Sequence, residues 1–175
     1  EDNVIEVRLK GSCNGCPMAT LTLKAGIERV MKVFFKEIFE YHNHINQSLM
    51  ESIKDNNDML KHIIPLLSHS IIAHQNWNAT ILNTATSWAN ELISLEECIA
   101  CDNQNFQTTL RILNENELEE TVEYVNAKQV VYKSTVLDVL FHVSNHFSHH
   151  RGQIVAEIRK GGIDPIITDF IYYKR

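Results

Sequence analysis

Between residues 33 and 53 the apolar side chains recur every three or four positions: Phe35, Ile38, Phe39, Ile45, Leu49 and Ile53, with His42 in the same row. That period lines one face of an α-helix; a strand would need a period of two. A helix with one apolar stripe must bury it against other elements, so the pattern commits the chain to a packed core. More helical pattern follows. Residues 59–64 read as a short helical piece, Pro65 suits the first turn of a second helix ending near residue 83, and residues 95–114 read as a third helix broken near Asp102. Residues 84–94 give no single pattern and read as a long loop with or without a turn of helix. Between 120 and 133 the period falls to two: Val122, Tyr124, Val130 and Tyr132 alternate around Asn126, Ala127 and Lys128, which predicts a small β-hairpin. Thr135 with Asp138 three residues on has the form of a capping box. It opens a last helix that Gly161, Gly162 and Pro165 bring to a stop. The tail beyond holds Ile166, Ile167, Phe170 and Ile171 and is apolar enough to fold back. The expectation is an all-α four-helix bundle with a small β-hairpin before the last helix.

Ahead of the bundle the pattern differs. Residues 4–9 alternate in strand fashion, residues 10–17 form a loop rich in Gly, Cys, Asn and Pro, and residues 20–31 carry a second helical stripe. This is a short strand–loop–helix prefix. Met31 is the expected seam, with residues 1–31 as one segment and 32–175 as the bundle. The 44% apolar content suffices for a sizeable core, and the 22% charged content is not that of a disordered chain. A formal net charge of -6 repels phosphate backbones, so no nucleic-acid partner is expected. No apolar run approaches bilayer length and no signal-peptide pattern opens the chain, so a cytoplasmic protein without a membrane partner is expected. The first residue is Glu1, not Met, which is equally compatible with a fragment or a processed chain. Four cysteines fall in two pairs, Cys13-x-x-Cys16 and Cys98-x-x-Cys101. In a reducing compartment that spacing points to metal, cluster or redox chemistry before structural disulfides.

Nine histidines cluster in two groups, at 42, 44, 62, 69 and 74 and at 142, 146, 149 and 150. His146 and His150 stand four apart on the last helix, which stacks both imidazoles on one face, where they can chelate one ion. His142 extends the row by another turn but is rotated from His150, and His149 points away. An HxxxH pair also arises by chance, so a second helix has to supply a partner. His69 and His74 on the second helix diverge in direction, and only one of them can look into the bundle. His69 borders the apolar stripe of Leu66, Ile72, Ala73, Trp77 and Ile81; His74 lies nearer the polar side with Gln75 and Asn78.

Residues 31–175 resemble the DinB family of metal-binding four-helix bundles. The resemblance is carried by Leu67-Ser68-His69 with Trp77-Asn78, by the run from Leu140 through His142, His146, His149, His150 and Arg151 to Ile154, and by Gly162-Ile163-Asp164-Pro165 with Thr168-Asp169-Phe170. It implies a divalent metal ion, zinc or nickel before others, held by His69, His146 and His150. It also implies a homodimer and, as some relatives do, a metal-dependent S-transferase-like reaction joining a low-molecular-weight thiol to a small electrophile. A non-catalytic metal-binding stress-response protein is the alternative. Asn145, Gln153 and Glu157 are candidates for orienting a ligating ring, with Glu157 read as a solvated side chain. Arg151 reads as a surface ion-pair residue, Gly152 as a point of close helix approach, and Trp77 and Trp88 as core or rim.

The prefix resembles a second family. Gly11-Ser12-Cys13-Asn14-Gly15-Cys16-Pro17, followed by Thr22-Leu23-Lys24-Ala25-Gly26-Ile27-Glu28, is similar to the C-terminal iron–sulfur scaffold domain of NifU-type proteins. That resemblance implies Cys13 and Cys16 as cluster ligands and an iron–sulfur assembly or carrier role; the alternative is a truncated remnant of such a domain whose helix runs straight into the bundle's first helix at Met31. Two thiolates supply half the ligands of a four-iron cluster, so two chains would share it. Cys98 and Cys101 match no motif.

Overall fold

A computed structural model describes residues 17–86, 92–125 and 128–175. Among them are four long helices, α1 (Pro17–Ile53), α2 (Asn57–Ile81), α3 (Leu95–Glu115) and α4 (Val136–Lys160). Strands β1 (Thr121–Val125) and β2 (Val131–Thr135) lie between α3 and α4, and a short α5 (Phe170–Tyr173) closes the chain. The all-α bundle with a hairpin before its last long helix is therefore present. The prefix strand and the Cys13–Cys16 loop lie outside the described residues. No described helix is long and apolar enough to cross a membrane.

Two apolar clusters place the helices. One, here called upper, joins Ile45, Leu49 and Ile53 of α1 to Ile63 and Ile71 of α2, Leu95 and Cys98 of α3 and Ile154 and Ile158 of α4. The lower one joins Phe35 and Phe39 to Ile81, Ile112, Val139, Leu140, Val143 and Phe147. α1 and α4 therefore run from lower to upper end, and α2 and α3 run from upper to lower. The main packing pairs are α2 with α3 and α4, and α1 with α3 and α4. The chain leaves α2 at the lower end and enters α3 at the upper end, and the hairpin joins α3 to α4 at the lower end. In the hairpin β1 and β2 pair antiparallel, Tyr124 opposite Tyr132, whose rings stack with centroids 5.8 Å apart.

The local signals mostly explain the boundaries. Thr135 and Asp138 form the expected capping box at α4, and Gly162 at φ +78° takes the left-handed conformation past its end. Ser94 and Glu97 form a second box at α3. The tail packs back as expected: Ile163, Ile166, Phe170 and Tyr173 lie on the upper core, and the Tyr41 hydroxyl donates to Thr168 O at 2.6 Å. Two expectations fail. α3 is unbroken at Asp102, because that side chain is buried and satisfied by amides of α1 and leaves the helix's own backbone bonds intact. Pro65 lies inside α2, where packing on both sides of the proline carries the helix through it. At Met31 the prefix helix runs on into the bundle's first helix as one continuous α1.

Between the two apolar clusters lies a buried polar layer. Asn43 and Gln47 donate to Asp102 Oδ2 and Asn46 donates to Asp102 Oδ1, each at 2.9 Å. Arg151 donates from Nη1 to the Tyr41 hydroxyl at 2.6 Å and from Nη2 to His42 Nδ1 at 2.7 Å. His42 Nε2 then bonds Ser144 Oγ at 3.1 Å. His74 Nε2 bonds Thr109 Oγ1 at 2.8 Å, and its ring stacks on Phe39. Burial pushes the Asp102 carboxyl up and the His42 imidazole well down; it holds His74 at about 3.

His74 is thus neutral in the folded protein and, with an ordinary value of about 6.5, takes a proton in the unfolded chain as pH falls. Its contribution to stability is whole above pH ~6.5 and declines as pH drops toward 3, because only the unfolded state binds the proton there. Between pH 7 and 4.5 His74 alone should remove about 2 to 3 kcal/mol. Urea unfolding of His74→Leu across that range should show a correspondingly shallower loss than the wild type; parallel curves would contradict the neutral assignment.

Candidate metal centre

α2 and α4 run antiparallel, and His69 of α2 meets His146 and His150 of α4 in the groove between them. One nitrogen from each ring lies within 4.8 Å of the other two, the grouping of His, Cys, Asp and Glu among the described residues that could hold a metal ion. Ring centroids stand 4.4 Å apart for His146 and His150, 4.8 Å for His69 and His150, and 5.1 Å for His69 and His146. His69 is exposed, and His146 and His150 are half-buried. The four-residue step on α4 brings the Nε2 atoms of His146 and His150 to 3.1 Å.

This geometry bears on whether the residues fit an ion. Ligands at about 2.0 to 2.1 Å put neighbouring nitrogens roughly 2.9 to 3.4 Å apart, so the 3.1 Å edge already has the required length. The ligand atoms of the whole set lie within 4.8 Å of one another, and His69 is its exposed member. The donor chemistry fits as well. Gln153 Oε1 lies 2.7 Å from His150 Nδ1 and can only accept there, which puts the proton on Nδ1 and a lone pair on Nε2. Desolvation, then the positive charge that His150 and His69 would carry, lowers His146 to about 4; desolvation also lowers His150. The pair therefore meets neutral solution as neutral imidazoles, the form that ligates.

The other candidates separate clearly. Gln153 is the one that touches the triad, whereas Asn145 is exposed and Glu157 pairs with Lys160 at 2.6 Å. His142 lies next in the row, its centroid 5.8 Å from that of His146; Trp77 meets it edge-on at 5.2 Å and Tyr124 at 5.0 Å, joining the hairpin to the lower side of the groove. Trp77 is thus at a rim, and Trp88 lies outside the described residues. Cys98 and Cys101 are free thiols; burial raises Cys98 to about 11, which makes it a packing residue. Cys13 and Cys16 lie outside the described residues.

Three side chains differ from their sequence reading. His74 is buried, because it faces Thr109 of α3 and not solvent. Arg151 is 5% exposed and bonds Tyr41 and His42, with no surface carboxylate. Gly152 is exposed with open space where a Cβ would sit, so no helix approaches it. The buried layer around Arg151 was missed, although His42 inside the apolar row of α1 was a readable sign of it.

A four-helix bundle with imidazoles of two antiparallel helices gathered in one groove defines the class. The chain belongs to the DinB family, which it matches over residues 31–175. It is similar to "Protein DinB" of Bacillus subtilis (strain 168), 24% identical over 163 residues covering 82% of this chain and 95% of that protein. Residues 1–42 match the NifU-like domain. There the chain is similar to "NifU-like protein 1, chloroplastic" of Arabidopsis thaliana, 30% identical over 66 residues covering 35% of this chain and 29% of that protein. It is also similar to the human "NFU1 iron-sulfur cluster scaffold homolog, mitochondrial", 37% identical over 38 residues covering 22% of this chain and 15% of that protein. The chain thus spans less than a third of either of these two NifU-like relatives. No solved structure matches it.

In metal-free protein, NMR titration of the imidazoles should find His146 neutral until pH nears 4. Replacing both His69 and His150 with Ala should move its midpoint upward. A midpoint at the ordinary value of about 6.5 would contradict the burial and crowding described above.

Proposed function

We propose that the protein holds one divalent metal ion, zinc or nickel before others, through His69, His146 and His150, and uses it in a thiol-dependent transfer reaction. The observation that supports this reading most is the convergence of three imidazole nitrogens from two helices within 4.8 Å. When bound, the ion supplies Lewis acidity, lowering the pKa of a thiol or water that ligates it. The chain's own residues do the rest. Three ring ligands leave at least one coordination position open, the mark of a working site. Gln153 fixes the tautomer and orientation of His150. Burial keeps His146 unprotonated, so no proton has to leave that ring at neutral pH. The thiol and transfer parts of the proposal rest on family resemblance; a non-catalytic metal-binding role shares the same three ligands.

A second reading concerns the prefix and is favoured by the NifU-like match over residues 1–42. In it Cys13 and Cys16 ligate an iron–sulfur cluster shared between two chains. A homodimer accompanies both readings, and light scattering on the purified chain tests it. A reducing cytoplasmic setting suits the free thiols of Cys98 and Cys101.

Elemental analysis of untagged protein should find about one zinc or nickel per chain. His146→Ala should reduce that to background with the helical circular dichroism unchanged; unchanged metal content would remove the proposed ligand set. Metal-loaded protein should conjugate small thiols to an electrophile such as monochlorobimane. Inactivity with several thiols would leave the non-catalytic role. Brown protein containing iron and sulfide, lost on Cys13→Ser, would favour the cluster reading for the prefix.

A further inference from the structure

The helices that carry the triad are free of carboxylates around it. α2 has neither Asp nor Glu over residues 61–81, and α4 has neither over residues 139–156. With 22 acidic residues in 175, those 39 positions would hold about five at the chain's own average. The acidic groups that bracket the α4 stretch are engaged elsewhere. Asp138 caps α4 with Thr135, and Glu157 pairs with Lys160. The polar group that orients His150 is also uncharged. Gln153 Oε1 accepts the Nδ1–H at 2.7 Å, a place that a carboxylate often takes on a ligating histidine. A Glu side chain at 153 would reach the same nitrogen with the same number of bonds.

We infer that Gln153 is a positioning residue that aims His150 while keeping the groove free of negative charge, so that the site favours an anionic fourth ligand. The inference rests on the metal reading above and deepens it. A dication held by three neutral imidazoles keeps its whole formal charge. In a half-buried groove that charge is screened less than at an open surface. An anion entering the open position is drawn by it and meets no carboxylate from residues 61–81 of α2 or 139–156 of α4. A carboxylate behind His150 would offset part of the attraction while still orienting the ring, and it would act little on a neutral ligand. Position 153 therefore separates two effects, orientation and charge, that a carboxylate would combine.

Co(II)-loaded full-length chain tests this by its visible spectrum, with azide as the anionic probe and imidazole as the neutral one. Gln153→Ala should weaken Co(II) binding by about 10- to 100-fold, and Gln153→Glu should restore it. In Gln153→Glu the affinity for azide should fall about tenfold while that for imidazole changes less than about threefold. Equal azide affinity in wild type and Gln153→Glu, or undiminished Co(II) binding in Gln153→Ala, would overturn the inference and leave the metal site standing. A wild-type chain that takes up no Co(II) would overturn both.

Discussion

Arg151 reaches from α4 across the middle of the bundle to Tyr41 and His42 of α1, with its guanidinium 4.8 Å from the Tyr41 ring centroid. Successive residues of an α-helix are turned by about 100°, so a side chain pinned on one flank sets where its neighbours point. With Arg151 held against α1, His150 beside it and His146 a turn earlier face the groove toward α2. The Tyr41 hydroxyl passes the constraint on to the tail through Thr168, and Asn46 links the same network to Asp102 of α3. A buried charge is costly to strip of its partners, so removing any of these groups leaves the others unsatisfied. The polar middle and the apolar ends thus do different work. The clusters of Ile, Leu and Phe supply the burial, and the layer between them fixes rotation and register.

Much of this could be read from periodicity. The stripe of α1, the alternation around Tyr124 and Tyr132, the Thr135–Asp138 box and the Gly161-Gly162 stop are local signals, and the elements they announce are present. The four-residue spacing of His146 and His150 brought their rings together for the same local reason. What could not be read was decided by tertiary packing. Pro65 and Asp102 look like helix breakers in isolation; the first is carried by core contacts on either side, the second by three amides of α1. His74 looked polar because Gln75 and Asn78 flank it, but its partner Thr109 is 35 residues away on another helix. Arg151 was misread for the same reason: the groups that bind it lie more than 100 residues back in the chain. The Ser94–Glu97 box was legible too, and it agrees with the start of α3 read at residue 95.

The two family matches overlap in residues 31–42, inside the unbroken α1. Phe35 and Phe39 of that overlap are buried in the lower core, so this part of the helix belongs to the bundle in its packing. Upstream of it Met18, Leu21, Ile27 and Val30 are exposed. Among the described residues the apolar character of the prefix helix therefore changes from uncovered to covered along one continuous rod. The chain nearly spans its DinB relative and covers a small part of its NifU-like relatives, and the burial follows the same division.

The metal-dependent function proposed above depends on nitrogen atoms of His69, His146 and His150 sharing one ion. X-ray absorption at the metal edge of the purified protein reads the ligand set directly. The account predicts about three imidazole nitrogens at roughly 2.0 to 2.1 Å, with the multiple scattering of intact rings and any further ligand added to them. A shell of sulfur at about 2.3 Å without imidazole scattering would place the metal on cysteines and contradict it.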